Sequence, residues 1–338
     1  MRLAARVALV LLGVLGVGCS GTDARTSSPP SSAALSSTSG VWGISRHVRG
    51  VVDLTMPRPD GALLIAARGR LLTLDPGGSL VSFAPAYVAL PGLESYLVLA
   101  GHAPARDACP FTAGTGYALR LRDGDGVTSI SASGRVRRFA ALPSAGLENG
   151  IALDSTGRFG DHLLVTDAGR RSTTVYAIDC RARVHIVTST APRVEGGITV
   201  APRGFGSFAG DLIAPDEHNG NVYAISPGGR TALVVRSGLP HGQDIGVESL
   251  AFVPAGYAQA LVSDRGTRHN RHPGDDAVLT LGRRALIAAG VRAGDLLAVA
   301  EGGALTIDIR CGRSCAVRQV ASGPPKAHVE GHIVFTGG

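Results

Sequence analysis

Three short apolar runs joined by Gly- and Pro-containing turns form a phrase that repeats along this chain of 338 residues. The phrase predicts an all-β fold, a six-bladed β-propeller closed by an N-terminal strand. Three observations carry the prediction. The clearest copies of the phrase, ENGIALDSTGRFGDHLLVTD (148–167), EGGITVAPRGFGSFAGDLIAPDE (195–217) and VESLAFVPAGYAQALVSD (247–264), are each followed by one more apolar run. Repeats of this length built from short strands indicate stacked four-stranded units. Helical periodicity is nearly absent, with RRALIAAGV (283–291) as the one short candidate, whereas parallel sheets need a long helical crossover between strands. Finally, the last unit is one strand short, and an unassigned strand-like segment, VWGISRHV (41–48), precedes the first. Pairing the two removes both free edges.

The elements follow in order. Arg2 and Arg6 flank the start of an apolar stretch, 7–17, that is too short to span a bilayer and reads as an export signal, residues 1–18. It runs into LGVGC, so Cys19 is the expected lipidation site, although Leu15 stands four residues before it and Gly16 takes the usual Leu place. Cleavage nearby without lipidation, giving a secreted protein, is the alternative. Residues 19–40, rich in Ser, Thr and Pro, cannot bury a core and read as a disordered tether. Residues 41–338 form the propeller.

Aligning units on their turns puts Ile151, Ile198 and Leu250 in one column, and first strands begin near 53, 94, 149, 196, 248 and 301. The sixth unit is expected to use strands near 303–310, 315–321 and 329–335. Two insertions interrupt the pattern, GHAPARDACPFTAGTG (101–116) in the second unit and RGTRHNRHPGDD (265–276) in the fifth. Asp167, Asp216, Glu217 and Asp264 end second strands and are expected to cap turns. LRDGDGVTS (121–129) reads as a hairpin turn, since it lacks the rest of an EF-hand loop.

The formal charge is +7, two units of which belong to the leader, and Lys326 is the one lysine among 33 basic residues. The arginines are scattered and aromatics make up only 4%, so neither a basic stripe nor a stacking platform for nucleic acid exists. Beyond Cys19, an exported chain with Cys109, Cys180, Cys311 and Cys315 suggests two disulfides. CGRSC (311–315) staples a tight hairpin, leaving Cys109 with Cys180 by elimination. The same two cysteines with His328 and His332 match zinc-finger spacing. However, Gln319 and Pro325 stand where the finger needs apolar residues, and VEGHIVF reads as a strand, not the required helix.

The repeat places a polar residue at one position in most units: Asp53, Glu94, Asn149 and Glu248, with Glu148 and Glu195 one residue upstream of the column. In a propeller the first strands line the central channel, so these groups should crowd one mouth. Facing carboxylates repel unless a cation or protons intervene. Oxygen-only ligands favour a hard cation, Ca²⁺ before others, on Asp53, Glu94, Asn149, Glu195 and Glu248. Glu148, His269 and His272 are further candidates for ligand contact. No nucleophile elbow or phosphate loop is present.

On these residues the chain resembles the senescence-marker-protein/gluconolactonase (regucalcin-like) group of six-bladed propellers, and more loosely NHL-repeat and streptogramin-lyase propellers. Asn149-Gly150-Ile151 is similar to that group's N-G-L phrase. Glu94-Ser95 and Glu248-Ser249 are similar to its E-S-P phrase, and Asp53-Leu54 and Glu195-Gly196 are looser counterparts of D-G-M. The second asparagine phrase is missing. The resemblance implies metal ligands at the starts of innermost strands and lactone hydrolysis, with Glu94 or Glu248 as the catalytic candidate. A non-enzymatic module binding a small molecule or protein at the channel mouth ranks first, the metal-dependent hydrolase second. A lyase, which would need a base such as His241 or His332, ranks third. The expected protein is an exported monomer whose only membrane attachment is its lipid.

Overall fold

The computed structural model describes residues 40–89, 94–101, 110–121, 124–144 and 146–337. They form six small sheets. Blade 1 comprises Val51–Leu54, Leu63–Ala67, Arg70–Leu74 and Leu80–Phe83, and blade 2 Leu97–Leu99, Gly116–Leu121, Gly124–Ile130 and Val136–Ala141. Blade 3 comprises Leu147–Leu153, Leu163–Ala168, Thr173–Ile178 and Val184–Ala191, and blade 4 Thr199–Val200, Leu212–Asp216, Asn221–Ile225 and Thr231–Arg236. Each is a meander of antiparallel neighbours, the arrangement that short turns between strands permit.

The ring is held by what lies between blades. Each strand alternates its side chains to the two faces of its sheet, so both faces of every blade are apolar and must be covered. Six buried clusters do this, one at each blade interface. Leu64 and Leu71 meet Leu97 and Ile130 between blades 1 and 2, for example, and Ile213 and Val222 meet Leu250 and Ile309 between blades 4 and 5.

The last two blades are interleaved, and here the expected strand assignment is corrected. Blade 5 takes Val247–Phe252 as its inner strand and then Leu296–Ala300, Thr306–Cys311 and Cys315–Ser322. Blade 6 takes Val329–Gly337 as its inner strand, followed outward by Tyr257–Asp264, Ala277–Gly282 and the N-terminal Gly43–His47. After Phe252 the chain therefore crosses into blade 6 for two strands. It returns through a short helix, Arg283–Ala288, to finish blade 5, and crosses back for the inner strand of blade 6. Residues 301–304 form a turn and do not start a blade. The misassignment has a physical cause. The short 253–256 connection suits a hairpin and a step to the adjacent blade equally well, and the apolar pattern of 257–264 fits either sheet.

Closure by the N-terminal segment holds, with an added twist. Gly43–His47 pairs antiparallel with Ala277–Gly282 as the outer edge of blade 6, while Gly40–Val41 adds a parallel pair to Cys315–Ser322 of blade 5. Between them Trp42, 1% exposed, donates its indole N–H to Thr306 Oγ1 at 2.8 Å. The N-terminal segment thus bridges the two blades that the chain itself interleaves.

Cys311 and Cys315 are disulfide-bonded across the hairpin where they are paired residues. Cys180 is also disulfide-bonded, and Cys109 lies outside the described residues, as do the leader, Cys19 and most of the tether. The turn-capping expectation is seen at Asp216, which accepts from Asn219 N and Nδ2, and at Asp264, which accepts from His328 N and Asp275 N. No described helix is long and apolar enough to cross a membrane.

Candidate functional site: a channel with two unlike ends

The repeated phrase is the axial profile of the channel. Each inner strand begins with an acid or a residue near one, passes through a small residue, and continues apolar. The acids therefore gather at one mouth, the small residues form a waist, and the apolar residues wall the opposite end.

The waist is closed by direct contact between neighbouring inner strands. Gly197 N donates to Glu248 O at 2.8 Å, Gly196 N to Asn149 O at 3.0 Å, and Ser249 Oγ to Gly331 O at 2.6 Å. Small residues are required: a Cβ on Gly197 would lie 2.4 Å from Gly331 O, and one on Gly196, at φ 87°, would lie 2.1 Å from Glu248 O. Asp53 belongs to this waist. Its carboxylate, 0% exposed, accepts from Leu54 N at 2.8 Å, His332 N at 2.7 Å and Leu97 N at 2.6 Å, tying together the inner strands of blades 1, 6 and 2. His332 Nδ1 also faces Asp53 at 2.9 Å, and its Nε2 faces Ile151 O at 2.8 Å. Burial alone would lower the His332 imidazole, but the Asp53 carboxylate holds it above the usual range. Both ring nitrogens are engaged, so His332 acts here as a strut. Asn149 is likewise committed: Nδ2 donates to Val194 O at 3.0 Å and Oδ1 accepts from Thr166 Oγ1 at 3.1 Å.

Six glutamates converge at the acidic mouth: Glu94, Glu195, Glu217, Glu248, Glu301 and Glu330. Arg265 Nη1 donates to Glu94 at 2.6 Å and to Glu330 at 2.9 Å. His328 Nε2 lies 2.9 Å from Glu301 Oε1 and 3.4 Å from Glu330 Oε1. Tyr96 bridges Glu248 at 2.7 Å and Glu330 at 2.9 Å. One phenol proton serves one acceptor, so both contacts are satisfied when Glu248 carries its own proton. The electrostatics agree. Burial, then Glu330, Glu301 and Glu195, push the Glu248 carboxyl well above the usual range. Burial would also raise Glu330, but His328 and Arg265 hold it below that range. The charge of Glu330, then burial, push Glu94 up to about 7 against the pull of Arg265. Burial, then Glu301 and Glu195, push Glu217 up to about 9. Glu195 is raised mainly by burial, with Arg193 3.5 Å away opposing. Burial would lower His328, but Glu301 and Glu330 carry it up to about 10.

Glu148 does not join this group. It is 0% exposed and meets neither the mouth nor the waist, and among the described residues neither carboxyl oxygen makes a well-formed hydrogen bond, with Gly126 N as a weak donor. Burial, then Asp125, push it up to about 8, against Arg120. His269 is exposed on the insertion, at φ 68°. His272 packs its ring over Gly302, with Nδ1 2.8 Å from Pro325 O, and His241 is exposed beside Gly220. Among the described residues, one group of three metal-ligating side chains has ligand atoms within 4.8 Å of one another: Glu301, His328 and Glu330. None of the five candidate ligands read from the sequence is in it.

The opposite end is an apolar funnel of about 420 Å³, walled by Leu54, Leu97, Ile151, Ile198, Leu250 and Ile333, one from each blade's inner strand or its flank. Phe111, Phe252 and Phe335 stand further out, Asp154 and Asp161 are the acids of its lining, and His332 is at its inner end. Sequence reasoning did not find this cavity, because a run of Ile, Leu and Val reads as core whether or not its far side is filled.

The architecture is similar to that of a chain in the nidogen/laminin complex, with a TM-score of 0.50, 12% identity and 86% of each chain covered. Virginiamycin B lyase from Staphylococcus aureus also matches, with a TM-score of 0.47 and 12% identity over 82% of this chain and 88% of that one. A protein of the gluconolactonase family matches with a TM-score of 0.39 and 17% identity over 67% and 72%. At 12% identity the first of these likenesses shows the fold alone. No family model matches the sequence, and no curated protein matches it.

Proposed function

We propose that this protein is a non-enzymatic binding module that takes a small, largely apolar molecule into the funnel at one end of its channel. The observation that carries the reading is the cavity of about 420 Å³ walled by apolar side chains around the whole ring. That volume lies in the range of small-molecule sites, which are mostly apolar with a few polar groups that set orientation. Ser155 and Asp161 supply such groups at the funnel, whereas Asp154 and Thr55, also in its lining, spend theirs on neighbouring backbone. The leader, Cys19 and the polar tether support an exported protein held to the membrane by its lipid. The Cys311–Cys315 disulfide suits an oxidising compartment.

The test is a fluorescence titration with N-phenyl-1-naphthylamine, a neutral probe that brightens in apolar surroundings. Saturable binding at one site per protein is expected. Val200→Phe, which fills the wall, and Leu153→Gln, which makes a partly exposed wall position polar, should each weaken it. A probe that does not bind, or that binds both variants as well as the wild type, rejects the reading.

One observation favours a second reading, a hydrolase of the gluconolactonase kind. Glu94, partly exposed at the acidic mouth, has its carboxyl pushed up to about 7, where a general acid–base group works at neutral pH. Hydrolysis of simple lactones that is lost in Glu94→Gln would support it.

A further inference from the structure

We propose that Glu301, His328 and Glu330, with Glu217 as a fourth group, form a binding site for a divalent transition-metal ion of the Zn²⁺ class. The three side chains come from separate places in the chain. Glu301 follows the second strand of blade 5, His328 precedes the inner strand of blade 6, and Glu330 lies within it. The interleaving of those two blades brings them together. They are 5%, 2% and 4% exposed. His328 Nε2 stands 2.9 Å from Glu301 Oε1 and 3.4 Å from Glu330 Oε1. Ligand atoms about 2.0 Å from a tetrahedral ion are about 3.3 Å apart. The His328–Glu330 spacing matches this. The His328–Glu301 contact is a hydrogen bond that the ion would replace, and Glu330 Oε1 also holds Arg265 Nη1 at 2.9 Å.

A second observation points to a ligand. Glu217, 8% exposed, holds its carboxyl within hydrogen-bonding reach of Glu301, and its Oε1 meets no donor. A buried acceptor without a donor is costly unless something positive, a proton or a metal ion, occupies the space. The donor set then selects the ion. An imidazole among carboxylates favours Zn²⁺, Co²⁺ or Mn²⁺, whereas Ca²⁺ takes six to eight oxygens. Cys311 and Cys315 play no part, since they are bonded to each other. The site lies at the acidic mouth, across the waist from the funnel, and does not depend on the funnel reading.

The experiment loads the metal-stripped protein with Co²⁺ and records its visible spectrum, then titrates Zn²⁺ by calorimetry. The expected result is one equivalent bound, an absorption spectrum of low-coordinate Co²⁺ with a nitrogen ligand, and displacement by Zn²⁺ but not by Ca²⁺. His328→Gln and Glu301→Gln should each weaken Zn²⁺ binding by about 100-fold or more, and Glu148→Gln should leave it unchanged. The Co²⁺ spectrum reads the wild type and needs no variant to fold. An octahedral, all-oxygen spectrum, no binding of either metal, or full affinity in a folded His328→Gln protein overturns the proposal.

Discussion

Replacing Glu148 by Gln should leave stability nearly unchanged in mild acid and raise it substantially in base. The carboxyl is 0% exposed, neither oxygen makes a well-formed hydrogen bond to a described residue, and its acidity is displaced from 4.5 to about 8, first by burial and then by Asp125. A group whose pKa is higher folded than unfolded contributes stability that is fully present below the unfolded value. That contribution is lost as pH rises through the folded one. For Glu148 the window runs from about pH 4.5 to about 8, and the displacement corresponds to a loss of about 5 kcal/mol, at 1.36 kcal/mol per unit. Gln keeps the shape and the neutral state at every pH, and its amide can donate to the neighbouring acids. Wild type and variant should agree within about 1 kcal/mol at pH 5 and differ by about 4 kcal/mol at pH 9. For about 300 folded residues that is about 6 °C in melting temperature. The assay is urea or thermal unfolding of both proteins from pH 5 to 9. Glu94 and Glu217 shift in the same direction, to about 7 and about 9, so both proteins should lose stability toward base, the variant less. Identical pH slopes, or a variant destabilised equally at every pH, would refute the reasoning.

Other outcomes follow from the waist and the closure. Asp53→Ala removes the acceptor for three backbone donors from three blades and should cost about 3–5 kcal/mol in urea unfolding; a loss below about 1 kcal/mol would show that the clamp is dispensable. Trp42→Ala leaves a cavity between blades 5 and 6 and orphans the Thr306 bond. A loss of about 3–5 kcal/mol is expected, together with faster protease cleavage near residues 40–47, and unchanged proteolysis would count against closure by this strand. Cys311→Ser opens a short loop and should lower stability by about 2 kcal/mol, with reducing agent destabilising the wild type by more than the variant, in which only the Cys180 disulfide remains to be reduced.

The repeat, and hence the ring and its closure, was legible because strand pattern and turn residues recur in every blade. The pairing of the last two blades was not. EGG at 301 copies EGG at 195 in wording, yet only the latter leads into an inner strand. The true sixth inner strand, VEGHIVF, carries the same Glu-Gly pair at Glu330-Gly331, and that was the signal available to find it. With the register displaced, Glu330, Glu301 and His328 were missed, and His328 surfaced only as part of a rejected zinc-finger pattern. Glu94, Glu195 and Glu248 do lie at one mouth, because repeat position determines height along the channel. Repeat position does not determine direction: Glu148 and Asn149 are adjacent in one strand and point apart, and Asn149 and Asp53 spend their polar atoms on neighbouring strands. Arg265 and Tyr96, which bridge the acids, come from an insertion and from an apolar position. A column of like residues does not report such partners.

The most direct test of the account is a crystal structure of the protein grown with N-phenyl-1-naphthylamine. The account predicts the probe inside the funnel, against Leu97, Ile151, Ile198 and Leu250. A funnel filled by ordered water, with the probe on the outer surface or at the acidic mouth, would contradict it.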